Sequence, residues 1–347
     1  MRIFITGGAG FVGANVADHH LGLGDEVVIF DNLSRNGTSG NANWLQERHG
    51  ERLRVVHGDV REFLALRDAL PRGADRVYHM AAQVAVTTSV KEPRDDFEIN
   101  ALGTFNVLEA VRQSAPEAVV LYASTNKVYG GMESVAIVED PTRYRYRDLA
   151  DGISEEQPLD FHSPYGCSKG CGDQYVRDYA RIYGMRTVVF RQSCIYGPRQ
   201  MGAEDQGWMA YFCIAARLGW PITIYGNGKQ VRDILWIGDL IDAYERAARQ
   251  IDVSSGEIFN IGGGPGETVS VWREFGPMLE RLAGSALSVT FADWRPGDQQ
   301  VYVSDIRKAE RVLGWRPNVS VEEGVERLWR WVDANTTLFD RAASLKA

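Results

Sequence analysis

The first thirty-one residues constrain the fold more than any other stretch. Arg2-Ile-Phe-Ile-Thr6 is a short apolar run with the composition of a buried strand. It leads directly into Gly7-Gly-Ala-Gly10-Phe-Val-Gly13 and then a helical stretch from Ala14 to Leu21. Glycines at 7, 10 and 13 permit a tight turn, a close approach of backbone to phosphate, and close packing of helix on strand. The helix start would meet a pyrophosphate with unpaired amide donors and the positive end of its dipole. A second apolar run, Glu26-Val-Val-Ile-Phe30, ends in Asp31, eighteen residues after Gly13. A carboxylate there suits the two ribose hydroxyls of NAD and repels the extra phosphate of NADP. A glycine triplet alone also describes a structural turn. The order strand, triplet, helix, strand and acid is what predicts a dinucleotide site.

Alternation continues downstream. Candidate strands at Leu53 to His57, Arg76 to Met80, Val119 to Ala123 and Thr187 to Arg191 are separated by helical patterns. Those patterns run over Phe63 to Leu70, Thr104 to Gln113 and Gly170 to Tyr183. This spacing predicts an α/β chain with a Rossmann-type doubly wound parallel sheet. Sites in such sheets lie beyond the carboxyl ends of the strands. Polar or small groups stand at those ends: Asp59, then Ala81-Ala82-Gln83, then Ser124-Thr-Asn-Lys127. After Arg191 the pattern becomes mixed and is punctuated by glycine-rich turns. The expected organisation is an NAD-binding domain over 1–190, with some later segments returning to it, and a smaller mixed α/β substrate-binding lobe over 191–347. Residues 131–162 read as a polar insertion containing several aromatics, either a lid or a surface ornament.

Tyr165 and Lys169, in Ser163-Pro-Tyr-Gly-Cys-Ser-Lys169, fall four residues apart on a helical pattern and so share one face. A phenol with a pKa near ~10 is a poor base at neutral pH, but a nearby ammonium or a cationic nicotinamide ring favours the phenolate. The pair reads as a proton-handling couple for reversible alcohol oxidation. Without the upstream dinucleotide pattern, it would read as helix decoration.

The net charge of −8 argues against a nucleic-acid surface, which needs clustered positive charge. A small anionic substrate remains compatible if a few arginines converge. Four cysteines, Cys167, Cys171, Cys194 and Cys213, have neither metal-ligand nor disulfide-framework spacing, and no metal site is expected. Cys167 and Cys171, one turn apart, read as small core residues. With no apolar run of membrane-spanning length and no signal segment before the first strand, the expectation is a cytoplasmic protein without membrane contact.

Taken together, the glycine motif, His79-Met-Ala-Ala-Gln83, Asn100, Thr125, Tyr165, Lys169, Arg232-Asp233 and Val312-Leu-Gly-Trp-Arg-Pro317 resemble the extended short-chain dehydrogenase/reductase family. Its members modify nucleotide-linked sugars, and the resemblance spans essentially the whole chain. It implies NAD held by Gly7, Gly10, Phe11, Val12 and Gly13 at the first turn, and by Asp31, Asn32 and Arg35 after the second strand. Asp59, Val60, Ala81, Ala82, Gln83, Asn100 and Ser124 would complete that site together with Tyr165 and Lys169. The catalytic roles would fall to Tyr165 as the base, Thr125 as the orienting hydroxyl, and Lys169, which would hold the nicotinamide ribose and lower the Tyr165 pKa. Longer stretches, Phe30-Asp-Asn-Leu-Ser-Arg35, Ser124-Thr-Asn-Lys-Val-Tyr-Gly130 and Gly226-Asn-Gly-Lys-Gln-Val-Arg-Asp233 among them, resemble the branch that inverts C2 of CDP-paratose.

Relatives that eliminate water place an acid pair after the catalytic threonine, whereas here Asn126 and Lys127 stand there. The decarboxylases' nearby glutamate is also missing. The resemblance therefore implies an NAD-dependent nucleotide-sugar epimerase, with a 4-epimerase or a 2-epimerase of another nucleotide sugar as the alternatives and, ranked behind them, a nucleotide-sugar dehydratase or decarboxylase. Asn126 would face the sugar, and Arg232 and Arg295, with Arg199 as a weaker candidate, would hold the diphosphate through planar bidentate geometry. Many relatives have a sugar-contacting asparagine where this chain has Cys194, consistent with a less polar pocket or a packing thiol. The six histidines read as structural, with His162 the one worth testing. Family habit also implies a homodimer or homotetramer, paired through the helix after Tyr165.

Overall fold

The computed structural model describes residues 1–295 and 298–339. They form two compact units. One comprises Met1–Val128, Ser163–Arg191 and Ile241–Phe259; the other comprises Tyr129–His162, Gln192–Leu240 and the chain from Asn260 onward.

A seven-stranded parallel sheet carries the first unit. Its strands are β1 (Arg2–Thr6), β2 (Glu26–Asp31), β3 (Leu53–His57), β4 (Arg76–His79), β5 (Val119–Thr125), β6 (Thr187–Gln192) and β7 (Ile258–Ile261). They lie in the order β7-β6-β5-β4-β1-β2-β3. Ile3 pairs with Val27 on one side and Arg76 on the other, so the order reverses between β1 and β4. That switch point opens the crevice in which such sheets bind ligands. Both faces are covered by helices, so the central strands are near-continuous apolar runs with no exposed face. Five of these helices are α1 (Phe11–Gly22), α2 (Thr38–His49), α3 (Phe63–Ala69), α4 (Gly103–Ser114) and α5 (Pro164–Tyr183). Phe4, Phe30, Val77, Leu108, Val111, Val120 and Val189 are among the side chains of one core between helices and sheet.

Each expected strand is present within a residue or two of its predicted ends, because parallel strands advertise themselves through composition alone. Helix α2 and strand β7 are among the elements without such a signal. Helix α2 is largely polar and buries only Thr38, Asn41, Ala42 and Leu45. Strand β7 is four residues long and contains a buried asparagine; the Val189 amide joins β6 to the chain just before it, at the Glu257 carbonyl.

The second unit is mixed, as the pattern after Arg191 suggested. Val231–Trp236 pairs antiparallel with Thr268–Ser270 and parallel with Val301–Tyr302 and Cys194–Tyr196. Its core joins the helices Trp208–Leu218, Phe275–Ala283 and Val321–Ala334 through Phe212, Phe275, Leu328 and Trp272. Residues 129–162 belong to this unit, although they precede the lobe boundary expected at 190/191. The supposed lid or ornament is instead built into the body. Ile137–Glu139 and Tyr144–Tyr146 form a hairpin, and Tyr144 and Tyr146 are buried. Tyr146 donates to the Val301 carbonyl, the Ile153 amide donates to Val303, and Arg143 pairs with Glu274 at 2.6 Å. No helix among the described residues is long and apolar enough to cross a membrane.

Candidate dinucleotide and catalytic site

The glycine loop between β1 and α1 is shaped by contacts that exclude side chains. Gly7 has φ +68°, its amide donates to the Phe30 carbonyl at 2.8 Å, and a Cβ there would lie 2.6 Å from the Ala81 nitrogen. A Cβ at Gly13 would strike the Gly7 carbonyl oxygen and come within 2.7 Å of the Gly8 Cα. At Gly10 a Cβ would meet only the Gly7 oxygen, at 3.2 Å, so glycine here keeps open the approach to the start of α1. No side chain caps α1, whose first turn carries half-buried Phe11 and Val12. The amides and dipole of an uncapped helix start favour an anion.

Asp31 ends β2 and braces this loop, accepting from the amides of Ala9 at 3.0 Å and Leu33 at 2.8 Å. Burial raises its pKa while those amides, with that of Gly10, oppose the rise. Asn32 donates to Asp59 at 3.0 Å. Burial works against ionisation of Asp59, but bonds from Arg61 and Asn32 outweigh it and hold the carboxyl down at about 2. Val60 is buried against Gly103, where a Cβ would come within 2.7 Å of it, and its carbonyl accepts from Asn106. Arg35 is exposed on the loop that leads to α2.

Beyond β4 the chain turns through Ala81, Ala82 and Gln83. The floor beneath is His79, which bridges Thr6 at 2.7 Å and Thr104 at 2.9 Å and is kept neutral by burial, with a pKa near 3. Gln83 and Asn100 clasp one another: the Gln83 amide donates to Asn100 Oδ1, and Asn100 Nδ2 returns a bond to the Gln83 carbonyl, both at 3.0 Å. Asn100 lies in a π-helical turn, Glu98–Leu102, inserted in the helix leading to α4. Such insertions are frequent at functional sites. Asp96, fully buried, accepts from Gln83, Asn100 and Ser168, and was not among the residues singled out from sequence. Its signal was a carboxylate four residues before Asn100.

Helix α5 starts where its caps dictate. Ser163 accepts from the Gly166 amide, Pro164 occupies the first turn, and Gly184 closes the end with φ 66°. Tyr165 and Lys169 therefore stand on its buried face with Ser168, Gly172 and Val176. Cys167 projects from the opposite side and is exposed, so the expectation of a core residue fails for it. Cys194 is half-buried and packs against the second unit's core, as a packing thiol does.

Lys169 differs from expectation. Its ammonium donates to the Ala123 carbonyl at 2.6 Å and lies 4.3 Å from the centre of the Tyr122 ring. Burial lowers its pKa to about 7, against the pull of Asp173 and Asp96. Tyr165 is pushed up to about 12, chiefly by burial. Hydrogen bonding to Thr125 and the charge of Arg35 oppose that rise, and Asp96 adds to it. The protein alone therefore holds Tyr165 as a phenol; the expected lowering by Lys169 is not what acts on it. Thr125 also receives the Lys127 amide at 3.2 Å and donates to Asn126 at 3.4 Å. Next to it, Ser124 donates to Asp173, the buried partner of Arg191.

The arginines of the second unit are engaged within it. Arg232 is buried, pairs with Asp298 at 2.7 Å and donates to the Val231 carbonyl. Arg295 lies over the Tyr225 ring at 3.8 Å and donates to the Glu204 carbonyl. Arg199 is half-buried with φ 67°, outside the usual range for a side-chain-bearing residue. Asp233 beside Arg232 is buried, accepting from Ser193, Ser304 and Gly264. His162 pairs with Asp160.

A loop closed to side chains, an uncapped helix start and a carboxylate at the second strand end fit a dinucleotide. Comparisons with known proteins agree. The family model for GDP-mannose 4,6 dehydratase matches residues 4–328. A CDP-paratose 2-epimerase of Salmonella typhi is 43% identical over 340 residues, covering 96% of this chain and 100% of that protein. A Thermus thermophilus UDP-glucose 4-epimerase solved in complex with NAD is 32% identical, with TM-score 0.78 over 99% of this chain and 100% of that one. A Streptomyces venezuelae dTDP-glucose 4,6-dehydratase solved with NAD superposes with TM-score 0.82 at 29% identity, over 98% and 99% of the two chains. The chain belongs to the GDP-mannose 4,6 dehydratase family, among the extended short-chain dehydrogenase/reductase epimerases and dehydratases of nucleotide sugars.

Proposed function

We propose that this protein is an NAD-dependent epimerase that inverts C2 of CDP-paratose to give CDP-tyvelose. The observation that carries the reading is the 43% identity along the whole of a CDP-paratose 2-epimerase. Asn126 and Lys127 support it, standing where elimination would require acids.

NAD, when bound, supplies a hydride acceptor and donor and a cationic ring. Gly7, Gly10 and Gly13 would admit its pyrophosphate, Phe11 and Val12 would offer the first amides of α1, and Asp31 would receive its ribose hydroxyls. Asn32, Arg35, Asp59, Val60, Ala81, Ala82, Gln83, Asn100 and Ser124 shape the remainder. Tyr165 removes the proton from the sugar hydroxyl, with Arg35 and the bound cofactor's charge favouring the phenolate that burial resists. Thr125 aligns the reacting oxygen, and Lys169, anchored on Ala123, would hold the ribose through its remaining donors. Tyr165 returns the proton after the keto sugar has turned over. Arg232 and Arg295 hold the diphosphate, with Arg199 in a lesser role, and Asn126 contacts the sugar.

A panel of CDP-, UDP-, GDP-, ADP- and dTDP-sugars tests the substrate. CDP-paratose should turn over; inertness toward it alongside conversion of a UDP-hexose would favour a 4-epimerase on the same fold. In heavy water the inverted carbon should gain no deuterium, and its incorporation would indicate carbon deprotonation instead.

The partner for assembly is a second copy. Phe105 and Tyr175 are exposed and make an edge contact at 5.9 Å on α4 and α5, and Ile182 and Tyr183 are exposed further along α5. Light scattering should report a dimer or tetramer, and Ile182→Lys should shift it toward monomer. We expect the protein in the cytoplasm.

A further inference from the structure

Asp96 occupies a position whose cost needs an explanation. Its side chain has no solvent exposure. Oδ1 accepts from Gln83 Nε2 at 2.9 Å and from Asn100 Nδ2 at 3.1 Å, and Oδ2 accepts from Ser168 Oγ at 2.5 Å. All three donors are neutral, so its charge is solvated by dipoles and not cancelled by an ion pair. The other buried acid near Lys169 is different, because Asp173 is bound by Arg191 through two bonds of 2.9 and 3.0 Å. A buried charge of this kind is costly unless fully hydrogen-bonded, and its field acts over several ångströms at low dielectric.

We propose that Asp96 is a positioning residue whose carboxylate ties the Gln83–Asn100 turn to the helix carrying Tyr165 and Lys169 and presents a negative charge to both groups. Each donor comes from a different part of the site: the turn after β4, the π-helical insertion, and α5 at the residue just before Lys169. One carboxylate thus fixes the cofactor floor relative to the catalytic helix. The groups facing Tyr165 are Asp96, Arg35, the Thr125 hydroxyl and the buried phenol of Tyr122; those facing Lys169 are Asp96, Asp173, neutral His79 and the Tyr122 ring. A single negative charge favours the protonated form of both, so both should respond in the same direction when it is removed. A packing defect has no reason to do that.

The catalytic consequence rests on the epimerase reading above, but the first test does not. In protein labelled at tyrosine Cζ and lysine Cε, Tyr165 and Lys169 are assigned with Tyr165→Phe and Lys169→Met and titrated by NMR. Asp96→Asn should lower both midpoints by about 1 pH unit. Ser168→Ala withdraws a donor dipole that offsets the Asp96 charge while the carboxylate stays ionised, and should raise both midpoints by a smaller step. In the active enzyme both limbs of the kcat profile should shift to lower pH in Asp96→Asn. Unchanged or oppositely moving midpoints in folded Asp96→Asn overturn the proposal; if that variant does not fold, unchanged midpoints in Ser168→Ala do so. Wild type that turns over no nucleotide sugar would refute the epimerase reading while leaving the NMR result intact.

Discussion

Lys169 Nζ lies 2.6 Å from the carbonyl oxygen of Ala123, two residues before Thr125 on the same strand. The lysine is thereby fastened to the strand end it serves, at the expense of complete burial. Its pKa in the folded protein is about 7, against 10.5 when exposed. Between those values the unfolded chain binds a proton that the folded one lacks, so this group makes stability rise as pH increases. Urea unfolding at pH 7 and pH 9 should show that contribution in wild type and its loss in Lys169→Met. Equal pH dependence in the two proteins would mean the lysine is not desolvated as the structure shows.

Tyr165→Phe removes the only proton carried by the hydroxyl while leaving the ring on the buried face of α5. Turnover should fall by at least about 10²-fold, the usual weight of a general base. Bound dinucleotide, measured after denaturing the purified protein, should remain at wild-type stoichiometry. Full activity in this variant would remove the base assignment.

Gly13→Ala places a Cβ against the Gly7 carbonyl, backbone that cannot swing aside. The loop should open, with a stability loss of about 1–3 kcal/mol and a lower cofactor content. Gly7→Ala adds strain at φ +68° to a 2.6 Å contact with Ala81 and should cost at least as much. Gly40, on exposed α2 with open space where its Cβ would lie, is the control and should tolerate alanine. Thermal melting of the three variants checks the order.

Arg191 and Asp173 form a doubly bonded pair, 3% and 0% exposed, beneath Ser124. Arg191→Met strands a buried carboxylate and should destabilise by about 3–5 kcal/mol. Replacing both, as Asp173→Leu with Arg191→Met, should recover much of that loss, because no unpaired charge remains. Denaturant midpoints compared across the cycle decide it; a double variant no better than the single one would show that the Ser124 bond, not the charge, carries the stability.

The strand, glycine turn and helix that open the chain were legible because their determinants are local. Strand, glycine turn, helix and Asp31 occur within one short stretch, and each acts through backbone geometry that neighbouring residues dictate. Tyr165 and Lys169 could be paired for the same reason, since helical periodicity alone puts them on one face. Asp96 escaped notice because its meaning depends on Ser168, 72 residues away. Cys167 lies outside the core because the helix begins at Pro164, which rotates it to the outside once Tyr165 and Lys169 face inward.

Chain order and residue chemistry by themselves determined the parallel sheet, the glycine turn after its first strand and the pairing of Tyr165 with Lys169 on one helix face. Only the tertiary structure decided their ionisation. A phenol and an ammonium take their pKa values from burial and from charges brought close by folding, and those distances are not encoded in sequence separation. The same holds for residues 129–162, whose polar composition suggests a loose insertion. Packing of Tyr144 and Tyr146 and the Arg143–Glu274 pair makes them part of the second unit instead.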